Sequence, residues 1–111
     1  MFPPDVPTAT PSDIDDAAYL LDVREDDEWA AGHAPGAHHL PMQEIPARTG
    51  EVPMDDQVFV ICRSGGRSAQ VAAYLLANGW DNVRNVEGGM RAWAAAGRAL
   101  EGTDDAAPRI I

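Results

Sequence analysis

The stretch of sequence that decides the fold is Val58-Phe59-Val60-Ile61-Cys62-Arg63-Ser64-Gly65-Gly66-Arg67-Ser68. Four β-branched or aromatic residues lead into the only cysteine of the chain. A short apolar run of this kind, bounded by glycines, is typical of a buried strand in a parallel sheet. Over residues 68–78 the apolar residues then recur at the spacing of an amphipathic helix, which Asn78-Gly79 ends. The pattern therefore places Cys62 at the end of a strand, in a loop that leads into the N-terminus of a helix.

This position has a chemical consequence for Cys62. Free N–H groups at the start of a helix stabilise an anion, so a thiol held there ionises more easily, and the thiolate is the nucleophile. Gly65 and Gly66 let the backbone turn its amides inward, while Arg63 and Arg67 add positive charge. A lone cysteine after an apolar strand is most often a small core residue, but a core residue needs neither two glycines nor two arginines. We interpret Cys62 as a reactive cysteine in an anion cradle.

The overall charge restricts the classes of partner. The formal net charge is −10, which argues against nucleic acid and anionic membrane surfaces as partners. All eight cations are arginines, and two of them lie in the loop after the cysteine, so the local field there is reversed.

No apolar run approaches the roughly 18 residues of a membrane span, and the first residues do not resemble a signal peptide. A reactive thiol without a second cysteine fits a reducing compartment, so we expect a cytoplasmic protein.

Strands alternate with helices along the chain, which predicts a parallel α/β sheet with helices on both faces. We predict strands at residues 6–9, 19–23, 37–40, 58–61 and 83–86, and helices at residues 12–17, 25–31, 42–47, 68–78 and 88–96. Residues 1–111 form one domain with a core at about residues 5–97, and residues 98–111, rich in Gly, Asp and Pro, are expected to be a loosely ordered tail. The second, fourth and fifth strands end at Asp22-Val23-Arg24, Cys62 and Glu87-Gly88-Gly89, so these residues should meet at one edge of the sheet.

Three motifs, spanning about residues 19–97, resemble those of the rhodanese (sulfurtransferase) family and occur in the family's order. They are Leu21-Asp22-Val23-Arg24-Glu25 with Glu28-Trp29, Gly32-His33-Ala34-Pro35-Gly36-Ala37 and His39-Leu40-Pro41; Cys62-Arg63-Ser64-Gly65-Gly66-Arg67-Ser68; and Val86-Glu87-Gly88-Gly89-Met90-Arg91-Ala92-Trp93. The resemblance implies a rhodanese-like fold, with an open, mainly parallel sheet of five strands. It also implies that Cys62 is the nucleophile and that Arg63, Ser64, Gly65, Gly66, Arg67 and Ser68 form the substrate-binding loop.

The chemistry expected from this resemblance is sulfur transfer without a cofactor. The Cys62 thiolate attacks the sulfane sulfur of an anionic donor such as thiosulfate, sulfite leaves, and a thiophilic acceptor removes the outer sulfur of the resulting persulfide. The acceptor is cyanide, a thiol or a partner protein. Arg63, directly after the nucleophile, predicts thiosulfate rather than 3-mercaptopyruvate as donor, because loops that resemble the mercaptopyruvate class carry Gly-Ser there.

Two other functions remain open at this point. The chain could be a persulfide carrier or binding module that delivers sulfur to a partner protein, because a carrier needs the same loop. Cysteine phosphatases and arsenate reductases also hold a cysteine in an amide cradle. Their pattern has five residues between the cysteine and the arginine, whereas four separate Cys62 from Arg67. The resemblance implies that the shorter loop fits a sulfur atom, so we rank this function last.

Charged residues near the strand ends have two readings. Asp22 and Arg24 either support the loop, Asp22 by accepting from its N–H groups or from an arginine, or form an ordinary ion pair at a strand end. Glu28 is expected to pair with Arg24 as a structural contact. Arg67 either positions the donor or holds the loop by pairing with Asp22 or Glu87.

The histidines do not fit a metal site. His33, His38 and His39 have no helical ligand spacing, and no second cysteine exists to join Cys62, so we expect no metal. His33 is expected to hydrogen-bond to backbone in its turn. Gly88-Gly89 resembles a phosphate loop only superficially, because close approach of a helix to the cysteine loop explains these glycines.

Overall fold

The fold is an α/β arrangement of short elements, and the computed structural model describes residues 6–111. Residue 5, the expected start of the core, lies outside the described residues. The strands are β1 Thr8–Ala9, β2 Tyr19–Asp22, β3 His38–His39, β4 Val58–Ile61 and β5 Val83–Val86, and the α-helices are α1 Asp26–Ala31, α2 Gly66–Ala77 and α3 Gly89–Ala95. Single 3-10 segments lie at Pro11–Asp13, Met42–Ala47 and Thr49–Glu51. Within residues 6–111, no helix has the length and apolar character that a membrane span requires.

The five strands form one sheet in the order β1-β5-β4-β2-β3, and every pairing is parallel. Strand β4 lies at the centre, with all four of its residues buried. The register pairs Asp22 of β2 with Ile61 of β4, and Val60 of β4 with Asn85 of β5. The predicted parallel sheet of five strands is confirmed, and the carboxyl ends of β2, β4 and β5 lie side by side.

The core has two halves, one on each face of the sheet, because side chains alternate along a strand. Val58 and Val60 point to one face and Phe59 and Ile61 to the other. The first face packs against α2 through Val71, Ala72 and Leu75, and the second packs against α3 through Met90 and Trp93. Helices therefore cover both faces, as the sequence predicts.

Two of the predicted helical segments are 3-10 rather than α-helical, and the first of them is also shorter than predicted. Residues 12–17 form only the 3-10 turn Pro11–Asp13, because the Asp13 carboxylate accepts from the Thr10 N–H and Asp15 accepts from the Ala17 N–H. Such local side-chain bonds compete with helix propagation. Residues 42–47 are 3-10 helix with Pro46 inside it, and proline cannot continue an α-helical ladder.

The C-terminal residues, expected to be a loosely ordered tail, are instead attached to the domain. Glu101 and His33 exchange two backbone hydrogen bonds, of 2.9 and 2.8 Å. Leu100 and Ile110 pack, partly buried, against the core half that contains α3. This segment carries no regular helix and is mostly exposed, but backbone hydrogen bonds and these two side chains attach it to the domain.

The physical reason for this difference is a close backbone approach that composition does not reveal. The Arg109 N–H donates to the Ala31 carbonyl at 3.0 Å, and a Cβ atom on Gly32 would lie 2.3 Å from the Arg109 carbonyl oxygen. The lack of a side chain at Gly32 therefore makes room for the chain that returns about 75 residues later in sequence.

Candidate active site

Cys62 follows β4 directly and is 1% exposed. Its sulfur accepts two hydrogen bonds, from the Gly65 N–H at 3.1 Å and from the Ser68 hydroxyl at 3.2 Å. The thiol is free rather than part of a disulfide. Residues 62–68, called the cysteine loop below, thus fold back on their own first side chain.

One glycine determines the path of the cysteine loop. Gly65 has φ +113°, in the left-handed region that side chains with a Cβ atom avoid. This turn directs the Gly65 N–H at the sulfur and starts α2 at Gly66. Gly66 itself has no positive φ, so of the two predicted glycines the backbone conformation requires only Gly65.

The hydrogen bonds hold the pKa of the Cys62 thiol below the ordinary cysteine value. Burial is the largest single influence and raises this pKa, but the donors around the sulfur together outweigh it. They are the two groups that bond to the sulfur, the Ser68 hydroxyl and the Gly65 N–H, and the nearby backbone N–H groups of Ser68 and Ser64. The cradle of loop amides predicted from the sequence is therefore present.

Helix α3 closes the cysteine loop from the other face of the sheet. Its first N–H groups donate to the loop carbonyls, Met90 to Cys62 at 2.7 Å and Arg91 to Arg63 at 3.0 Å. A Cβ atom on Gly89 would lie 2.3 Å from the Cys62 carbonyl oxygen. Gly89 thus permits the close approach of α3 to the loop, and these N–H groups bind loop carbonyls rather than a phosphate.

Arg67 has a different partner from those predicted. Its two Nη atoms donate to the two carboxylate oxygens of Glu28 on α1, at 2.7 and 2.8 Å, and not to Asp22 or Glu87. The Arg67 hydrogen bonds lower the pKa of Glu28 despite partial burial, which opposes the shift. This bidentate pair links α1 to the start of α2 and offsets the charge that Arg67 would otherwise bring to the sulfur.

Arg63 lies at the same loop without such a partner. Its Nε is buried and has no hydrogen-bond partner among residues 6–111, and its guanidinium forms no ion pair within that range. The residue is partly exposed. Of the two loop arginines, Arg63 is therefore the one whose charge is available to an anion.

Asp22 and Arg24 form a fully buried ion pair with each other, with 2.7 Å between Arg24 Nη2 and Asp22 Oδ2. Arg24 also donates to the carbonyl oxygens of Glu28, at 3.2 Å, and of Gly32, at 2.8 Å. The pair therefore fixes α1 against the end of β2. It supports the site through α1 and Arg67, whereas direct bracing of the cysteine loop by Asp22 is not observed, and Glu28 meets Arg24 through its backbone oxygen rather than its carboxylate.

Asn85, which lies on β5 beside the cysteine loop, is a site residue that the motifs do not predict. Its Oδ1 lies 2.5 Å from the Ser68 hydroxyl oxygen, within hydrogen-bond distance, and its Nδ2 donates to the Gly65 carbonyl at 3.2 Å. A signal was present, because asparagine is disfavoured in strands and this one stands between Arg84 and Val86 in a strand pattern.

The histidine side chains make structural contacts, either hydrogen bonds to backbone or stacking on aromatic rings. His33 Nδ1 donates to the Trp29 carbonyl at 2.7 Å, as the turn predicted, and its ring stacks on Trp29. His38 stacks on Tyr19 instead. No group of three or more His, Cys, Asp or Glu side chains within residues 6–111 is arranged to hold a metal ion.

Comparison with known proteins agrees with this geometry. The model of the rhodanese-like domain matches residues 8–96. A sulfurtransferase of Allochromatium vinosum is 47% identical over 78 residues, which are 70% of this chain and 73% of that protein. YrkF of Bacillus subtilis, whose name gives sulfur carrier as a proposed role, is 40% identical over 81 residues, 73% of this chain and 44% of that protein. The crystal structure of a rhodanese-like domain protein from Staphylococcus aureus is similar with a TM-score of 0.78 at 35% identity, over 89% of this chain and 100% of that one. The chain is thus a member of the rhodanese-like domain family.

Proposed function

We propose that the chain is a sulfurtransferase that moves a sulfane sulfur from thiosulfate, or a similar donor, to a thiophilic acceptor through a persulfide on Cys62. The observation that carries this proposal is the pair of hydrogen bonds to Sγ, from the Gly65 N–H at 3.1 Å and the Ser68 hydroxyl at 3.2 Å. Donors of this kind stabilise negative charge on sulfur, and the thiolate is the nucleophilic form of cysteine. The sulfurtransferase relative supports the same reaction class.

The reaction balances in two halves. The Cys62 thiolate attacks the outer sulfur of thiosulfate, and the S–S bond of the donor breaks so that its electron pair leaves on sulfite. The negative charge then lies on the outer sulfur of the enzyme persulfide. An acceptor such as cyanide attacks that sulfur, leaves as thiocyanate, and returns the electron pair to Cys62. Neither half needs a proton or an external redox partner, so the residues of the cysteine loop suffice.

Arg63 is the residue that we assign to the donor. Thiosulfate and sulfite are dianions. Arg63 directly follows the nucleophile in the sequence, and its guanidinium has no ion-pair partner within residues 6–111. Arg67 is held by Glu28 and would act by fixing the loop. Because planar guanidinium groups bind oxyanions well, Arg63 would orient the donor with its outer sulfur toward Sγ.

A persulfide carrier is the second candidate, and one observation favours it. The relative YrkF is named for a proposed carrier role. A carrier would load sulfur as completely as an enzyme but would release it slowly to small acceptors. A phosphatase or arsenate reductase fits less well, because the Arg67 guanidinium is occupied by Glu28 rather than open to a tetrahedral oxyanion.

The partners that we propose follow from this chemistry. They are a small anionic sulfur donor and a thiophilic acceptor that is either a small molecule or a protein. The net charge of −10 disfavours nucleic acid and anionic membranes. Since a reactive thiol persists best in a reducing compartment, we propose a cytoplasmic location.

Steady-state kinetics with thiosulfate and cyanide test the proposal. A covalent intermediate predicts ping-pong behaviour, with parallel double-reciprocal lines when the second substrate is varied. Cys62→Ser should abolish thiocyanate formation, while a matched substitution of a remote exposed serine, Ser12→Ala, should leave it intact. Turnover that survives in Cys62→Ser would contradict the mechanism. Complete sulfur loading with negligible turnover would favour the carrier.

A further inference from the structure

Asn85 is a buried polar side chain whose contacts the proposed reaction has not used. It is 7% exposed on β5, where a buried amide is costly unless its polar atoms are paired. Its two polar groups meet two residues of the cysteine loop, Oδ1 the Ser68 hydroxyl at 2.5 Å and Nδ2 the Gly65 carbonyl at 3.2 Å. These are the same two residues that donate to Sγ of Cys62.

The orientation of the Asn85 amide is fixed by its neighbours. The Gly65 carbonyl can only accept a hydrogen bond, so the group that faces it must be the donor, Nδ2. Oδ1 must therefore face Ser68. As Oδ1 can only accept, the bond between these two residues uses the hydroxyl proton of Ser68.

The Ser68 hydroxyl has one proton and two acceptors within reach. Its Oγ lies 3.2 Å from Cys62 Sγ and 2.5 Å from Asn85 Oδ1. A hydroxyl donates one hydrogen bond, so the two contacts cannot both use that proton at the same moment. The acceptor that carries more negative charge receives it.

We propose that Asn85 is a positioning residue that competes with Sγ of Cys62 for the proton of Ser68. The hydroxyl donates to Sγ while the sulfur is a thiolate, and to Asn85 Oδ1 while the sulfur carries a proton or a second sulfur atom. The proton stays bonded to Ser68 Oγ throughout, and only the direction of the O–H bond changes. The inference deepens the proposed function and rests on it for the persulfide state.

The consequence is a balance between the two states of the catalytic cycle. Ionisation of Cys62 requires the hydroxyl to leave its short contact with Oδ1, so Asn85 limits the acidity of the thiol. In the persulfide the charge has moved to the outer sulfur, and the hydroxyl returns to Oδ1. Asn85 thereby favours the loaded form relative to the thiolate.

Asn85 is not needed as an anchor for the loop. The Gly65 carbonyl also accepts the Ala69 N–H at 3.2 Å, so it keeps a partner when the Asn85 amide is removed. A variant at this position should therefore act on the Ser68 proton more than on the loop path.

The charged groups around Cys62 are already engaged or exposed. Arg67 of α2 pairs with Glu28 of α1, and Asp22 at the end of β2 pairs with its neighbour Arg24. Glu87 after β5 is exposed, and Arg63 in the loop has no ion-pair partner within residues 6–111. None of these groups needs to titrate for the Ser68 proton to change partner.

The test uses Asn85→Val, which removes the acceptor, fills its volume and suits a strand, with Asn85→Ala as a second variant in case the first folds poorly. Each is made in the natural chain and in the Ser68→Ala background. The readout is the pH midpoint of Cys62 alkylation by iodoacetamide. We expect the midpoint to fall by about half a pH unit in the natural background, the size of one hydrogen bond to sulfur, and not to move in the Ser68→Ala background.

Several results would overturn the proposal. An upward or absent shift would mean that Asn85 does not compete for the proton, and an equal shift in both backgrounds would mean that it acts on the loop alone.

A second readout follows the persulfide. Sulfite should remove the outer sulfur from Asn85→Val at several-fold lower concentration than from the natural chain, and equal sensitivity would contradict the preference for the loaded form. If the natural chain forms no persulfide, the proposed function fails, yet the alkylation result still decides the role of Asn85.

Discussion

At the scale of single residues, two arginines flank the cysteine loop and differ in their surroundings. Arg67 is paired with Glu28, and Arg63 has no ion-pair partner within residues 6–111. Hydrogen bonds from neighbouring loop residues lower the pKa of Cys62. The two arginines should therefore have separable effects, one on donor binding and the other on the loop.

Arg63→Gln tests the first of these roles. We expect the KM for thiosulfate to rise about tenfold, because a charge-assisted contact to the donor is lost. The pH midpoint of Cys62 alkylation should change little. Arg91→Gln is the control, since Arg91 is an exposed arginine on α3. An unchanged KM in Arg63→Gln would show that this arginine does not bind the donor.

At the scale of elements, the Arg67–Glu28 pair joins α2 to α1. Arg67→Gln and Glu28→Gln should each lower the free energy of unfolding by about 1 kcal/mol, the scale of a partly buried bidentate pair. The double variant should cost little more than either single variant, because both remove the same contact. Chemical denaturation of the four proteins measures this, and additive losses would contradict the coupling.

The same pair predicts a pH dependence with a defined sign. Its hydrogen bonds lower the pKa of Glu28 in the folded chain. The stability that the pair contributes is therefore complete above the unfolded pKa, about 4.3, and is lost as the pH falls through the lower folded value. The difference in unfolding free energy between the natural chain and Glu28→Gln should narrow as the pH falls below about 5. A difference that widens on acidification would contradict the assignment.

The approach of α3 to the cysteine loop gives another test. Gly89→Ala and Gly97→Ala both place a side chain at positive φ, but only at Gly89 would the Cβ atom meet the loop, 2.3 Å from the Cys62 carbonyl oxygen. Both variants should lose about 1–2 kcal/mol from backbone strain. Gly89→Ala should lose more and should slow sulfur transfer, which thermal unfolding and thiocyanate formation measure. Equal behaviour of the two variants would mean that the close contact is unimportant.

Elements and contacts differ in how far they could be predicted from the sequence. Strands β4 and β5 and helix α2 follow from local patterns, and the amide cradle follows from a strand, glycines and a helix in direct succession. The partner of Arg67 could not be predicted, because Glu28 lies 39 residues earlier in the sequence and only the folded chain brings the two side chains together. Asparagine in a strand pattern marks Asn85 as unusual, but its contacts could not be predicted, because they depend on the register of β5 against β4.

At the scale of the whole molecule, the C-terminal segment closes over the turn after α1. Gly32→Ala should displace this segment, because the new Cβ atom would lie 2.3 Å from the Arg109 carbonyl oxygen. The backbone of Gly32 is extended, so the contact and not the backbone conformation is the cause. We expect trypsin to cleave after Arg98 or Arg109 faster, with a loss of about 1–3 kcal/mol in stability from overpacking.

Gly50→Ala is the matched control for this variant, since nothing lies within 4 Å of its Cβ position. Its cleavage rate should equal that of the natural chain. If Gly32→Ala is equally resistant to trypsin, the segment does not depend on the close approach at Gly32.

Mass spectrometry of the intact protein after thiosulfate treatment tests the central claim most directly. The natural chain should gain the mass of one sulfur atom, lose it again when cyanide is added, and release sulfite in equal amount. Cys62→Ser should gain nothing, because the chain has no other cysteine. A natural chain that stays unmodified, or a Cys62→Ser variant that still gains sulfur, would contradict sulfur transfer through Cys62.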